Sequence, residues 1–315
     1  MDVTHLGPRH ARKMLLLSSG CHGVEGYAGS AAQVMLLLDT EFRQRLYQQG
    51  VRIMLVHALN PYGFSYARRV TADNVDLNRN CIDFNQPLPQ NNEYAVLHNL
   101  LVPDVWPPDV DNVRALTQAI GSTGLRQFQD AVTRGQYHHP DGIFFGGQAP
   151  TWSHRTLAHV LDGIPPSVDQ IAWIDVHTGL GPQGVGERIF TGGGVEEAQQ
   201  LARQWWGETP QTGDASSVSS ALTGQLGALL TQKLGPRFLS SITLEFGTCP
   251  PLEVLNALRA DAWAYRANAV TENRRETSAQ TMKNAFFIDS PAWKNAVLEQ
   301  SMAAIRAAVD GLAAH

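Results

Sequence analysis

The sequence predicts an α/β domain in which helices cover both faces of a mainly parallel sheet. Three observations predict it. Four apolar runs of strand length, residues 13–18 (KMLLLS), 51–57 (VRIMLVH), 171–176 (IAWIDV) and 240–246 (SSITLEF), are each followed closely by glycine, proline or asparagine. Stretches with apolar residues at helical spacing separate these runs. A chain of 315 residues, 43% of them apolar, is long enough to form one such domain over residues 1–315.

The elements follow in order. Residues 13–18 run into Ser19-Gly20, a tight loop, and residues 30–46 then read as a helix entered at Gly29-Ser30. Residues 51–57, rich in β-branched and long apolar side chains, form a second strand stopped by Asn60-Pro61-Tyr62-Gly63. Residues 68–90 are polar and carry asparagines and prolines, which predicts a long ordered loop. A helix over 113–133, interrupted at 121–124, and another over 151–161 precede the third strand. That strand ends at His177-Thr178-Gly179. Helices over 195–206 and 221–233 lead to the fourth strand, which Gly247-Thr248 and Pro250-Pro251 close. Helices over 252–267 and 291–312 finish the chain, the last with proline in its first turn.

Composition narrows the function. With 24 Lys+Arg against 29 Asp+Glu, the net charge is −5, without the basic face of a nucleic-acid binder. No run of eighteen apolar residues exists to span a membrane, and residues 14–17 are too short for a secretory signal. Cys21, Cys81 and Cys249 are an odd number in a long chain, which predicts reduced thiols and a cytoplasmic protein. The oligomeric state is left open.

Open sheets of this class bind ligands beyond the carboxyl ends of their strands, and here those ends carry His and Glu. After the first strand, His22 and Glu25 sit three apart in a loop with glycines at 20, 23 and 26. An imidazole and a carboxylate can converge there on one ion, as catalytic zinc sites require. His177 at the third strand end is placed to be a further ligand, its Nε2 the expected donor. Asp175 has the alternative of a sheet-edge residue, and Cys21 is a rival ligand or a packed thiol. On the fourth strand Leu244 and Phe246 face one side while Thr243 and Glu245 face the other. A glutamate in an apolar strand either pairs with a base or faces a wet cleft and moves protons. The loop RRVTADNVDLNRN, residues 68–80, supplies guanidinium forks that fit carboxylates in two-point contact.

His22-x-x-Glu25, Asp76-Leu77-Asn78-Arg79-Asn80, His177 and Glu245, in that order, resemble the zinc carboxypeptidase superfamily, which includes aspartoacylase and succinylglutamate desuccinylase. Residues 22–30, 60–64, 244–248 and 257–261 are similar to a bacterial carboxypeptidase-like branch of it. The resemblance implies an α/β fold with a mixed, mainly parallel eight-stranded sheet between helices. It implies one zinc ion held by His22, Glu25 and His177, with Glu245 as general base and acid. Asn78 and Arg79 would bind the free carboxylate of a small-molecule or peptide substrate. Arg69, or its neighbour Arg68, would polarise the scissile carbonyl. The activity implied is hydrolysis of a C–N amide bond next to a carboxylate, by a carboxypeptidase or a small-molecule amidohydrolase. The rivals are a zinc-containing binding protein without turnover and a hydrolase using Cys21 as nucleophile. Two departures stand out. No tyrosine lies between His177 and Glu245, which makes Tyr137 a candidate for the missing phenol, and the leader before His22 is shorter than in the branch. The stretch between Glu25 and His177 is expected to narrow the cleft.

Overall fold

Two-residue alternation runs through the central strands and divides the interior in two. Leu15 and Leu17 face one side of the sheet, Met14 and Leu16 the other. The computed structural model describes residues 1–192, 196–266 and 271–315. Its strands are β1 (Asp2–Leu6), β2 (Lys13–Ser19), β3 (Val51–His57), β4 (Gln170–Gln183), β5 (Gly186–Phe190) and β6 (Phe238–Gly247). They lie in the order β1-β3-β2-β4-β6-β5. The four central strands are parallel, and β1 and β5 close the edges antiparallel.

The helices are α1 (Gly26–Leu38), α2 (Thr40–Gln49), α3 (Pro61–Ser65), α4 (Asn92–Leu101), α5 (Val110–Thr123) and α6 (Leu125–Thr133). Then come α7 (Trp152–Asp162), α8 (Glu196–Trp206), α9 (Leu226–Leu234), α10 (Pro251–Ala264), α11 (Glu272–Phe286) and α12 (Pro291–Ala314). Side chains of α1, α2, α8 and α12 pack on the Leu15 face, and those of α7 and α9 on the Met14 face. A third cluster joins α4, α5, α6, α10 and α11 around Val24, just after β2. No described helix is long and apolar enough to cross a membrane.

The alternation of strands and helices is present, but among the described residues the sheet has six strands, not eight. Between β3 and β4 the chain forms helices α3 to α7 and loops, because it holds no apolar run of strand length. The expected helix over 30–46 is two helices. Asp39 leaves helical geometry and its carboxylate accepts the Phe42 N–H at 2.9 Å, capping α2. The expected break near 121–124 falls at Gly124. The helix over 221–233 begins only at Leu226, since Gly224 has φ +74° and passes so near Arg79 that a Cβ would lie 2.3 Å from its carbonyl oxygen. β4 continues to Gln183, so His177 lies within the strand. Val195 and Ala267, the expected ends of two helices, are outside the described residues.

Candidate metal centre and its cavity

The loop after β2 is a single 3₁₀ turn, Gly23–Glu25. Gly23 crosses the backbone of Gly63 so closely that a Cβ would lie 1.9 Å from the Gly63 carbonyl carbon. Hydrogen bonds from Gly23 N–H to the Arg69 carbonyl (3.3 Å) and from Val24 N–H to the Arg68 carbonyl (2.9 Å) strap this turn to the next loop. The turn brings His22 Nδ1 to 2.9 Å from Glu25 Oε1. From β4, His177 Nδ1 reaches 3.2 Å from His22 Nδ1 and 3.0 Å from Glu25 Oε2. All three side chains are buried. Ligands at zinc distances on a tetrahedral ion sit about 3.3 Å from one another; the two imidazole nitrogens already have that spacing, and each has a different oxygen of Glu25 within 3.0 Å. The donor set therefore fits a zinc ion.

The inward nitrogens are Nδ1, not the expected Nε2, because each Nε2 is engaged by a carboxylate. Asp76 Oδ1 lies 3.1 Å from His22 Nε2, and Asp175 Oδ2 lies 2.7 Å from His177 Nε2. Asp175 is a buried central residue, its other oxygen accepting the Ser18 hydroxyl at 2.6 Å. Such partners orient a ligating imidazole and raise its basicity. The sequence reading gave neither aspartate this part. The signal was there for Asp175: two residues before His177 on a strand, it shares the same face.

Arg68 and Arg69 diverge. The Arg68 guanidinium is bound by Asp261 at 2.8–3.1 Å and stacks on Tyr265, away from the site. Arg69 donates from Nη1 to Glu25 Oε1 (2.8 Å) and from Nε to Asp76 Oδ2 (3.0 Å). Burial alone raises the Glu25 carboxyl, but His22, His177 and Arg69 outweigh it and hold it below the usual carboxylate range. Burial likewise lowers His177, yet Asp175 and Glu25 prevail and raise it well above the usual imidazole range.

Glu245 stands beside His177 on the same rung of β6 and β4. Its Oε1 accepts the Leu180 N–H at 3.0 Å. Burial, reinforced by the charge of Glu25, pushes its carboxyl up to about 7 against the pull of His177. Glu245, His22, His177, Arg69, Asn78 and Arg79 all line one cavity of about 360 Å³, and Glu25 lies just behind its wall. Asn78 Oδ1 accepts the Leu226 N–H at 2.9 Å. Arg79 is buried and donates only to carbonyls, those of Thr133 (2.9 and 2.6 Å) and Asn78 (2.8 Å). Among the described residues no carboxylate pairs with it. The Phe144 ring lies between the two cavity arginines, 5.2 Å from the Arg69 guanidinium carbon and 5.4 Å from that of Arg79. Phe144 holds φ +54°, a strained backbone fixed by neighbouring hydrogen bonds, and nothing in the sequence announced it.

The remaining candidates fall outside the cavity. Tyr137 is fully buried, and its hydroxyl donates to the Arg79 carbonyl at 2.7 Å, so it does not supply the missing phenol. Cys21 is fully buried and outside the cavity, and burial with three nearby carboxylates pushes its thiol well above its usual range, which disfavours the thiolate a nucleophile needs. Cys21 also lies near Asp175 and His177, but those two side chains are bound to each other. His57 packs on Phe64 and shares a hydrogen bond with Ser19.

Sheet, helical layers and buried trio together define an α/β domain with a candidate metal centre. Residues 1–300 match the family described as a protein of unknown function, DUF2817, and the chain belongs to that family. No curated protein matches it in sequence. Among solved structures it is similar to carboxypeptidase A from Helicoverpa armigera, with 13% identity and a TM-score of 0.50 over 99% of this chain and 65% of that one. This chain thus spans just under two thirds of that protein. That likeness shows the fold. Bovine thrombin-activatable fibrinolysis inhibitor, solved in complex with tick carboxypeptidase inhibitor, is also similar (12% identity, TM-score 0.46, 95% of this chain and 86% of that one). So is the murein-tripeptide amidase MpaA from Escherichia coli O157 (15% identity, TM-score 0.35, 83% of this chain and 85% of that one).

Proposed function

We propose that the protein is a metal-dependent hydrolase that cleaves a C–N amide bond next to a free carboxylate. The carrying observation is the trio His22, Glu25 and His177: the two Nδ1 atoms stand 3.2 Å apart, each within 3.0 Å of one oxygen of the Glu25 carboxylate, with an aspartate behind each imidazole. His22, Glu25 and His177 would hold a zinc ion, which would supply Lewis acidity to a water molecule and to the scissile carbonyl. Glu245 would take a proton from the attacking water as its oxygen adds to the carbonyl carbon, and pass that proton to the nitrogen as the C–N bond breaks. Its raised carboxyl suits this exchange near neutral pH. Arg69 holds the carbonyl oxygen as charge develops on it. Arg79, a buried guanidinium without a carboxylate partner, and the Asn78 amide hold the substrate's carboxylate. The site is equipped for turnover, which favours an enzyme over a zinc-containing binding protein.

The test is a metal assay on the purified protein combined with a mass-spectrometric screen of dipeptides and N-acyl amino acids. Hydrolysis lost on chelation, restored by zinc and absent in Glu245→Gln is the expected result. Activity that survives chelation but not thiol alkylation would overturn the assignment. Bound zinc with no hydrolysis across the screen would favour the binding protein.

A further inference from the structure

The cavity is unequal in its chemistry. Its charged groups gather around the trio and the Phe144 ring, while much of the remaining wall is hydrocarbon. Phe128 and Val132 of α6 face the cavity from one side, and Leu255 and Leu258 of α10 also line it. Its rim is apolar as well. Leu125 at the start of α6 is 56% exposed and Leu252 in the first turn of α10 is 49% exposed, yet both line the cavity. These two half-exposed leucines, on separate helices of the same cavity, add apolar surface on which a hydrocarbon group could be withdrawn from water. The volume, about 360 Å³, is at the small end for ligand pockets and fits one or two residues rather than an extended chain.

We infer that the ligand is an amphipathic monocarboxylate: an amide whose carboxylate is held by Arg79 and whose other end is a bulky hydrocarbon or aromatic group. A second carboxylate on that group would have to leave water for a wall with no cation to receive it. The inference rests on the hydrolase reading only for the amide, since the recognition is a matter of binding. The apolar group can sit on the acyl side or on the amino-acid side chain, and the two arms of the test separate these sources.

Affinities are measured by calorimetry on zinc-loaded Glu245→Gln protein, with wild-type hydrolysis followed in parallel. One arm is N-acylglycines from acetyl to octanoyl, and the other is N-acetyl glycine, alanine, leucine and phenylalanine. In at least one arm each added methylene tightens binding about threefold to fourfold until the cavity is full. N-succinyl amino acids bind more weakly than N-acyl analogues of similar size. Leu125→Ser and Leu252→Ser, at exposed positions that tolerate change, weaken the longest ligands about threefold to tenfold and leave N-acetylglycine unaffected. Flat affinities in both arms, N-succinyl ligands binding as well, or equal losses for long and short ligands would each overturn the inference. A gradient without hydrolysis refutes the hydrolase and leaves the inference standing, while hydrolysis without a gradient does the reverse.

Discussion

At the scale of single residues, the two arginines of the cavity carry different roles in the proposed reaction, and on that proposal their variants should separate. Arg69→Ala is expected to lower turnover about a hundredfold to a thousandfold, the usual loss for one oxyanion donor, with little change in KM. Arg79→Ala removes a charge-assisted contact and should raise KM about tenfold to a hundredfold. An unchanged KM for Arg79→Ala would refute its part. Asp175→Asn should weaken zinc binding about tenfold to a hundredfold, which competition with a chelating dye can measure. Glu245 yields a pH effect with a definite sign in the metal-free protein. Its folded carboxyl is raised from 4.5 to about 7, so the stability it contributes is present below 4.5 and lost as pH rises through 7. The stability of Glu245→Gln relative to wild type should therefore grow between pH 5 and pH 8. Denaturant midpoints at the two pH values check it, and a shrinking difference would contradict it. His22, Glu25, His177 and Glu245 stood out as candidates because they lie on strands or in a glycine-rich turn, whereas their combination, with Arg69, Asn78 and Arg79 from the irregular loop, came with the resemblance. Asp76 and Arg68 were harder, since both lie in an irregular loop with no parity to give their direction.

Among the elements, the four central strands were legible because both of their faces are buried and their apolar runs are nearly continuous. β1 was not, for its first four residues are exposed and only Leu6 is buried. α11 was equally hidden, a polar helix with few apolar positions. The segment carrying Asp76, Asn78 and Arg79 hangs from α10 through the buried Arg68–Asp261 pair. Asp261→Ala strands a buried guanidinium and should cost about 3–5 kcal/mol in urea unfolding. A loss well under 1 kcal/mol would mean that the loop is held by other contacts.

For the whole molecule, the class of fold followed from the order of strands and helices, whereas the strand count did not. Eight came with the resemblance, and the described residues form six, four from the apolar runs and two short edge strands. The candidate ligands come from the turn after β2 and from β4, so an ion bound to all three cross-links the centre of the sheet. Zinc at a hundredfold excess over its Kd should stabilise the fold by about 2.7 kcal/mol. The matching rise in Tm should vanish on chelation, and a Tm indifferent to zinc would count against the site.

The pairing of His177 with Glu245 across one rung of adjacent parallel strands has a mechanical consequence. Neighbouring strands keep a spacing of about 4.8 Å that no loop movement alters, so this part of the reaction chamber is built on a chassis without a hinge. The hydrocarbon walls stand on separate helices, outside that frame. They can be recut for a different guest, residue by residue, while His177 and Glu245 keep their alignment.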